Sequence, residues 1–220
     1  MKLEICHLYP DVLSGDQGNL LCMQKRLTWR GIEALVTRLP VGSSAQLSQF
    51  DLFFLGGGQD YKQEGLRAEI RAAIEDGKVF LAVDGGYELL GFIGALDIRT
   101  EDGAPRMTGD ILFDTGEACA GLLVGFENHS GKTTLGPGVA PLGKALAGHG
   151  NNGEDGTEGC RYKNVFGTYA HGPLLPKNPK LADYILSTAL SLKYPGVTLA
   201  GLDDELENTA HSYMVSRLGK

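Results

Sequence analysis

The first half of the chain alternates short apolar runs with amphipathic stretches of helical period. This order is typical of βαβ units, in which helices cover both faces of a mostly parallel sheet. Gly31 and Gly77 follow the two amphipathic stretches, at positions where glycine commonly ends a helix. The pattern predicts strands at residues 3–8, 33–39, 51–55 and 79–83, and helices at residues 19–30 and 64–76.

The second half has a different pattern. Residues 96–127 contain alternating apolar and polar positions separated by turn residues, which is typical of antiparallel strands. Residues 136–159 are rich in glycine and polar residues and predict long loops or ribbon excursions. Another strand is predicted at residues 165–169, and the last helices at residues 180–192 and 203–217. We therefore expect one α/β domain over residues 1–220, with a mostly parallel, doubly wound sheet and an antiparallel excursion in the middle.

Composition narrows the class of protein. The 220 residues are 42% hydrophobic and 21% charged, with a net charge of -7, which describes a globular protein without a general nucleic-acid surface. No apolar run approaches the roughly 20 residues of a membrane span, and we expect a cytoplasmic protein. The four cysteines are too scattered for a disulfide framework or a CxxC metal site: Cys6, Cys22, Cys119 and Cys160.

The segment FLAVDGGYELLG, residues 80–91, is the strongest sign of chemistry. An apolar strand breaks at a glycine turn and continues as a helix, which is the form of a nucleophile elbow with Asp84 at its centre. The helix N-terminus stabilises a negative charge there. A carboxylate nevertheless attacks amides poorly, because the product is a high-energy mixed anhydride. The turn therefore indicates an enzyme, while its central residue argues against amide hydrolysis.

Two further features are predicted at the same edge of the sheet. Gly56, Gly57 and Gly58 follow a buried strand, where they form either a tight turn or a backbone cradle for an oxyanion. His171 follows the strand at residues 165–169 and is either a structural histidine or a proton carrier. Their occurrence together with the elbow favours the functional interpretation. The chain has no P-loop, and the histidine spacing gives no reason to assign a metal.

Four segments carry a family resemblance. The elbow is similar to the C-x-G-x-Q signature of class I glutamine amidotransferases, a Rossmann-like group that releases ammonia from glutamine. The four segments resemble the CobB/CobQ-like type of this group, and in particular the GatD glutaminase subunits of lipid II isoglutaminyl synthase. The cobyric acid synthase branch is the nearest alternative. The segments are DLFFLGGGQD at residues 51–60, RMTGDIL at 106–112, GFENHSGKT at 125–133 and GTYAHGPLLPKNP at 167–179.

The resemblance implies roles for individual residues. His171 would be the general base, and Asp16, in SGDQGN, would orient it. Gly57 and Gly58 would donate amides to the oxyanion. Arg106 would bind the carboxylate of the substrate glutamine, which suits the fork of a guanidinium group.

Two positions depart from the family pattern. Asp84 stands where the family has its nucleophilic cysteine, and Glu88 where it has a substrate-binding glutamine. Loss of a catalytic nucleophile costs on the order of a millionfold in rate, so glutamine hydrolysis should be lost or greatly weakened. Asp84 is expected to be ionised and to pair with protonated His171, and Glu88 to repel the carboxylate of glutamine.

The implied context is an ATP-dependent amidation of the D-glutamate α-carboxyl in the lipid II stem peptide. The partner would be a Mur-ligase-like subunit of the MurT type, which would hold the ATP and Mg²⁺. This chain would need no cofactor of its own. Its substrate, if it is active, would be L-glutamine. Two alternatives remain open. In the first, the chain is a non-catalytic pseudo-glutaminase scaffold. In the second, Asp84 is a nucleophile toward an alkyl or phosphoryl centre, as aspartate is in other enzymes.

Overall fold

A computed structural model describes residues 1–58, 65–117 and 119–219. Its main sheet has six strands in the order β2-β1-β3-β4-β10-β9, and every neighbouring pair is parallel except β9 with β10. The non-sequential order arises because the chain crosses over between parallel strands. The strands are β1 (Lys2–Leu8), β2 (Glu33–Leu39), β3 (Leu52–Leu55), β4 (Val79–Val83), β9 (Cys160–Tyr162) and β10 (Val165–Thr168).

Helices cover both faces of this sheet, because its strands are apolar on both sides. The adjacent residues Phe53 and Phe54 of β3 are both fully buried and belong to opposite hydrophobic clusters. α1 (Gln17–Thr28) and α5 (Pro179–Lys193) pack on one face, and α2 (Arg67–Glu75) and α3 (Gly85–Phe92) on the other. The doubly wound arrangement predicted from the sequence is confirmed.

A second, antiparallel sheet forms the excursion in the middle of the chain. Its strands run in the order β6-β5-β7-β8, and the long β5–β6 hairpin has an irregularity in register between Asp102 and Met107. The segment at residues 136–159, predicted as loops or ribbon excursions, contributes two of these strands. They are β5 (Ile98–Asp114), β6 (Leu122–Leu135), β7 (Gly143–Ala147) and β8 (Thr157–Glu158).

Two shorter elements and a C-terminal helix complete the described structure. Leu47–Gln49 is a single 3-10 turn, α4 is Leu174–Lys177, and α6 is Glu205–Leu218. The predicted elements agree with the observed ones to within a few residues, but the expected start of a helix at residue 64 lies outside the described residues. Within the described part of the chain, no helix is both long and apolar enough to cross a membrane.

Buried ion pairs fix the helix that follows the Asp16 loop. The guanidinium of Arg26 on α1, which is 3% exposed, contacts Asp183 of α5 at 2.7 Å and Asp204 before α6 at 2.7 Å. Asp183 also accepts a hydrogen bond from Arg30 at 2.6 Å. Losing one partner of such a buried pair is strongly destabilising, so the network holds α1 and the C-terminal segment in one arrangement.

Candidate active site

The carboxyl ends of four adjacent strands meet at one edge of the main sheet. β1, β3, β4 and β10 are neighbours and run parallel, so the loops that follow them converge. These loops carry Asp16, Gly57, Asp84 and His171 respectively. Gly58, next to Gly57, packs against the turn that carries Asp84, so the structure brings together five of the seven residues that the sequence singled out.

The elbow is a strained turn. Asp84 precedes α3 with φ 52° and ψ -120°, a conformation uncommon for a residue with a side chain. A Cβ atom on the following Gly85 would collide with the carbonyl oxygen of Gly58, and one on Gly86 would lie 2.7 Å from the carbonyl oxygen of Leu55. Only glycine permits this close backbone approach.

Gly57 separates two carboxylates. A Cβ atom built on it would lie 3.1 Å from Oδ2 of Asp84 and 3.4 Å from Oδ2 of Asp16. The carbonyl oxygen of Gly57 accepts a hydrogen bond from the Gly15 amide at 2.8 Å, which joins the β1 and β3 loops. A side chain at residue 57 would crowd both carboxylates, so glycine lets the two acidic groups approach the backbone at the predicted oxyanion position.

Asp16, rather than Asp84, forms the ion-pair contact with His171. Oδ2 of Asp16 lies 3.9 Å from Nδ1 of His171, and Oδ1 accepts a hydrogen bond from the Gly172 amide at 2.8 Å. Asp84 interacts with His171 electrostatically without forming such a contact. The expected Asp84–His171 ion pair is therefore wrong, because the elbow directs the Asp84 carboxylate toward Gly57 and the amide of Gly85.

Two opposing effects act on the Asp84 carboxyl group. Burial raises its pKa, and the nearby Asp16 acts in the same direction. The Gly85 amide, His171 and His129 favour the carboxylate and partly offset the rise. The sequence pointed only to the helix N-terminus, which lowers a carboxyl pKa, and so missed the larger effect of burial.

Glu88 lies one helical turn after the elbow and is 8% exposed. Its Oε1 accepts a hydrogen bond from the Tyr169 hydroxyl at 2.9 Å, and this hydroxyl lies 2.7 Å from Oγ1 of Thr133. Burial raises the pKa of Glu88 to about 7; Asp84 and Asp102 add to the rise, while Tyr169 and His129 oppose it. At neutral pH the group is thus partly uncharged, and the expected repulsion of a substrate carboxylate is weaker than a full negative charge would give.

Arg106 lies on the β5–β6 hairpin, whereas Gly58 lies directly against the elbow. Nε of Arg106 donates to Oδ1 of Asn128 at 2.6 Å, and Nη2 donates to the Asn128 carbonyl at 2.8 Å, so the hydrogen bonds of this exposed guanidinium lie within the β5–β6 hairpin. Gly58 packs its backbone against Gly85 of the elbow. Their roles toward a substrate carboxylate and an oxyanion stay predictions.

Comparisons of the sequence with known proteins identify the family of the chain. Residues 4–179 match the CobB/CobQ-like glutamine amidotransferase domain. The chain is 35% identical to the GatD subunit of lipid II isoglutaminyl synthase (glutamine-hydrolyzing) from Staphylococcus aureus, over 100% of this chain and 97% of that protein. The chain belongs to the CobB/CobQ-like glutamine amidotransferase family.

Two more comparisons extend this result. The amidotransferase chain is also 35% identical to the corresponding GatD subunit from Streptococcus pneumoniae, over 88% of this chain and 82% of that protein. The solved structure of PurLQS from Thermotoga maritima matches with a TM-score of 0.60 at 19% identity, covering 88% of this chain and 99% of that chain. This likeness confirms the Rossmann-like amidotransferase fold.

The four thiols of the amidotransferase chain are free, and burial raises the pKa of each. The pKa reaches about 12 for Cys6 and Cys160 and about 11 for Cys22, and it is also raised for Cys119. A thiolate rather than a thiol is the nucleophile, so the raised pKa makes each of these thiols less reactive. None of the four shows the lowered pKa of an activated cysteine.

Several buried polar residues beside the amidotransferase site were not singled out from the sequence. His129 stacks on Tyr169 with ring centroids 3.6 Å apart, and Nδ1 of His129 lies 2.8 Å from the Gly131 carbonyl. Glu127 and Glu158 are both 0% exposed. His129 and Glu127 lie within GFENHSGKT, so that motif was the available signal, whereas Glu158 lies in a segment interpreted as loops or ribbon excursions.

Replacing Glu88 by glutamine should flatten the pH dependence of stability of the amidotransferase chain. The Glu88 pKa is about 7 in the folded state and 4.5 ordinarily, so the folded protein holds the extra proton between these values. Its free energy of unfolding therefore falls as pH rises from about 4.5 to 7, by about 3 kcal/mol at most, and a glutamine side chain cannot ionise. Urea unfolding at intervals from pH 5 to 8 measures the slope.

Glu69→Gln on α2 is the matched control, because it makes the same change at a carboxyl group that is exposed to solvent instead of buried. It should leave the slope unchanged. Asp84 and Glu158 also have raised pKa values, so a smaller decline should persist in Glu88→Gln. Equal slopes for the parent protein and Glu88→Gln would contradict the buried, partly protonated state of Glu88.

Proposed function

We propose that this chain is the glutaminase-like subunit of an ATP-dependent lipid II isoglutaminyl synthase, with its own glutamine hydrolysis lost or greatly weakened. Its relatives from Staphylococcus aureus and Streptococcus pneumoniae are named as GatD subunits of such a synthase. The observation that carries the second half of the proposal is Asp84, held in an intact elbow beside Gly57 and the Asp16–His171 pair.

The geometry supports binding and positioning better than hydrolysis. The backbone of Gly57 lies between the Asp84 and Asp16 carboxylates, and Asp16 contacts His171. A carboxylate at the elbow would have to form a mixed anhydride with the glutamine side chain, which is a far less favourable intermediate than a thioester. Burial further weakens Asp84 as a nucleophile, because the raised pKa increases its neutral fraction.

The proposed complex divides the work between two subunits. A Mur-ligase-like partner of the MurT type would bind ATP and Mg²⁺ and activate the α-carboxyl of the D-glutamate in lipid II. This subunit, with residues 1–220 as a single domain, would act in the cytoplasm as a glutaminase-like or purely scaffolding partner. Free ammonia would then supply the nitrogen, because Asp84 cannot form the acyl-thioester through which a cysteine releases it.

A nitrogen-source assay tests this proposal. The purified complex with a MurT-type ligase is incubated with ATP, Mg²⁺ and lipid II, and with either ammonium chloride or L-glutamine. We expect amidation of the D-glutamate with ammonium and only background product with glutamine. The product is measured by mass spectrometry of the stem peptide.

The same assay separates the two parts of the proposal. Amidation with glutamine well above that without a nitrogen source would disprove the loss of activity and leave the subunit assignment standing. Failure to form a complex with the ligase, together with no effect of this chain on amidation from either nitrogen source, would disprove the subunit assignment.

A further inference from the structure

Glu158 is a buried acid that links the second sheet to the end of the strand leading to His171. It lies on β8, which pairs with β7 of the antiparallel sheet. Its Oε1 accepts hydrogen bonds from the Thr168 hydroxyl, from the Tyr169 amide at 3.0 Å and from the Ala170 amide at 3.4 Å. These three donors belong to the consecutive residues immediately before His171.

The same stretch also contacts the elbow. The Thr168 carbonyl accepts a hydrogen bond from the Asp84 amide at 2.9 Å, so one residue is bound to Glu158 through its hydroxyl and to the elbow through its backbone. A displacement of residues 168–170 would therefore change the position of His171 relative to residue 84.

The second sheet holds His171 from its other side as well. The His171 amide donates to the Phe126 carbonyl at 2.8 Å, and the Phe126 amide donates to the His171 carbonyl at 3.2 Å. Glu127, the next residue on β6, uses both carboxylate oxygens to accept amides of His149 and Gly150. The antiparallel sheet is thus a support for the histidine, with backbone bonds on one side and Glu158 on the other.

We infer that Glu158 is a positioning residue for His171. This inference rests on the proposed glutaminase-like function of the site. Burial raises the pKa of Glu158, which favours its neutral form, while the hydrogen bonds from the Thr168 hydroxyl and the Tyr169 amide act in the opposite direction. A neutral acid accepts hydrogen bonds through its carbonyl oxygen, and a glutamine amide does the same. Glutamine should therefore substitute for Glu158, whereas alanine should not.

The test uses the full chain carrying Asp84→Cys and Glu88→Gln as the background, since the native elbow lacks a nucleophile. Adding Glu158→Ala should lower kcat for glutamine hydrolysis about 100-fold, the size expected when a catalytic group moves by about 1 Å. KM should stay within about twofold, because Glu158 contacts no proposed substrate group. Adding Glu158→Gln should retain most of the activity.

A second measurement does not depend on glutamine. The thiol introduced at position 84 is alkylated with iodoacetamide, and the rate at that peptide is followed by mass spectrometry. His171→Ala should slow the reaction, because a neighbouring histidine favours the thiolate. Glu158→Ala should slow it toward the His171→Ala rate, and Glu158→Gln should not.

Two further variants keep the inference falsifiable if Glu158→Ala unfolds. Thr168→Val removes only the hydroxyl that donates to Glu158 and should give a smaller fall in kcat and in alkylation rate. Leu27→Ala, a truncation in the core remote from the site, should destabilise the fold without changing either rate. Parent-like rates in both Glu158→Ala and Thr168→Val, or an equal loss in Leu27→Ala, would overturn the inference. Alkylation rates that change as expected, in a background that hydrolyses no glutamine, would uphold the inference and favour the scaffold alternative for this subunit.

Discussion

Glutamine hydrolysis should rise at least about 10⁴-fold over the native chain when Asp84→Cys and Glu88→Gln are introduced together, since nucleophile loss in comparable sites costs up to about 10⁶. The cysteine would occupy the turn that places residue 84 next to Gly57, at the predicted oxyanion position. The glutamine would replace a group whose pKa of about 7 leaves it partly charged at neutral pH. Ammonia release, coupled to glutamate dehydrogenase, measures the rate.

The single variants show how much of the gain in glutamine hydrolysis comes from each of the two positions. Asp84→Cys alone should restore most of kcat with a raised KM, because Glu88 still opposes a substrate carboxylate. Glu88→Gln alone should stay at the native background, because the nucleophile is still absent. A double variant that folds normally yet hydrolyses no glutamine would show that the pocket has changed beyond these two positions, and would favour the scaffold alternative.

In this restored background, His171→Ala should lower kcat by about 10³-fold or more. His171 is the histidine next to the elbow, and its Nδ1 faces Asp16 at 3.9 Å, which leaves Nε2 as the nitrogen to exchange a proton with the substrate. Proton transfer to the leaving ammonia requires such a group near neutral pH. Initial rates of ammonia release over a range of glutamine concentrations separate kcat from KM.

The matched control is His211→Ala. His211 lies on α6, where its Nδ1 is 3.0 Å from the Lys177 carbonyl, and it has no proposed role in the reaction. Its replacement should leave kcat unchanged. Equal losses in His171→Ala and His211→Ala would point to a general loss of folded protein rather than to removal of the base.

The fold was largely predictable because its signals are local and repeated. Apolar strands alternate with amphipathic helices in the first half, and this order alone predicts a parallel sheet whose strand ends carry the site. Glycines at the elbow and after β3 showed where the backbone has to turn tightly. These features gave the positions of Asp84, Gly57 and His171 correctly relative to the sheet.

The electrostatics of the site were less predictable because they depend on contacts between distant segments. The pairing of His171 with Asp16 joins residues 155 positions apart, and nothing in the local sequence ranks it above a pairing with Asp84. Burial of Asp84 and Glu88 likewise arises from tertiary packing, and it reverses the direction of the pKa expected from a helix N-terminus. Glu158 lies on a two-residue strand that has no periodic signal.

The glycines around the elbow have a consequence for how such a subunit changes over evolutionary time. The turn is held by backbone packing of Gly85 and Gly86 against the loop after β3, and by the hydrogen bond from the Asp84 amide to Thr168. None of these interactions uses the side chain of residue 84. These backbone interactions would persist with another side chain at position 84, within the limit that its positive φ disfavours β-branched residues, so the group presented there can change while the scaffold, and whatever binds it, stays the same.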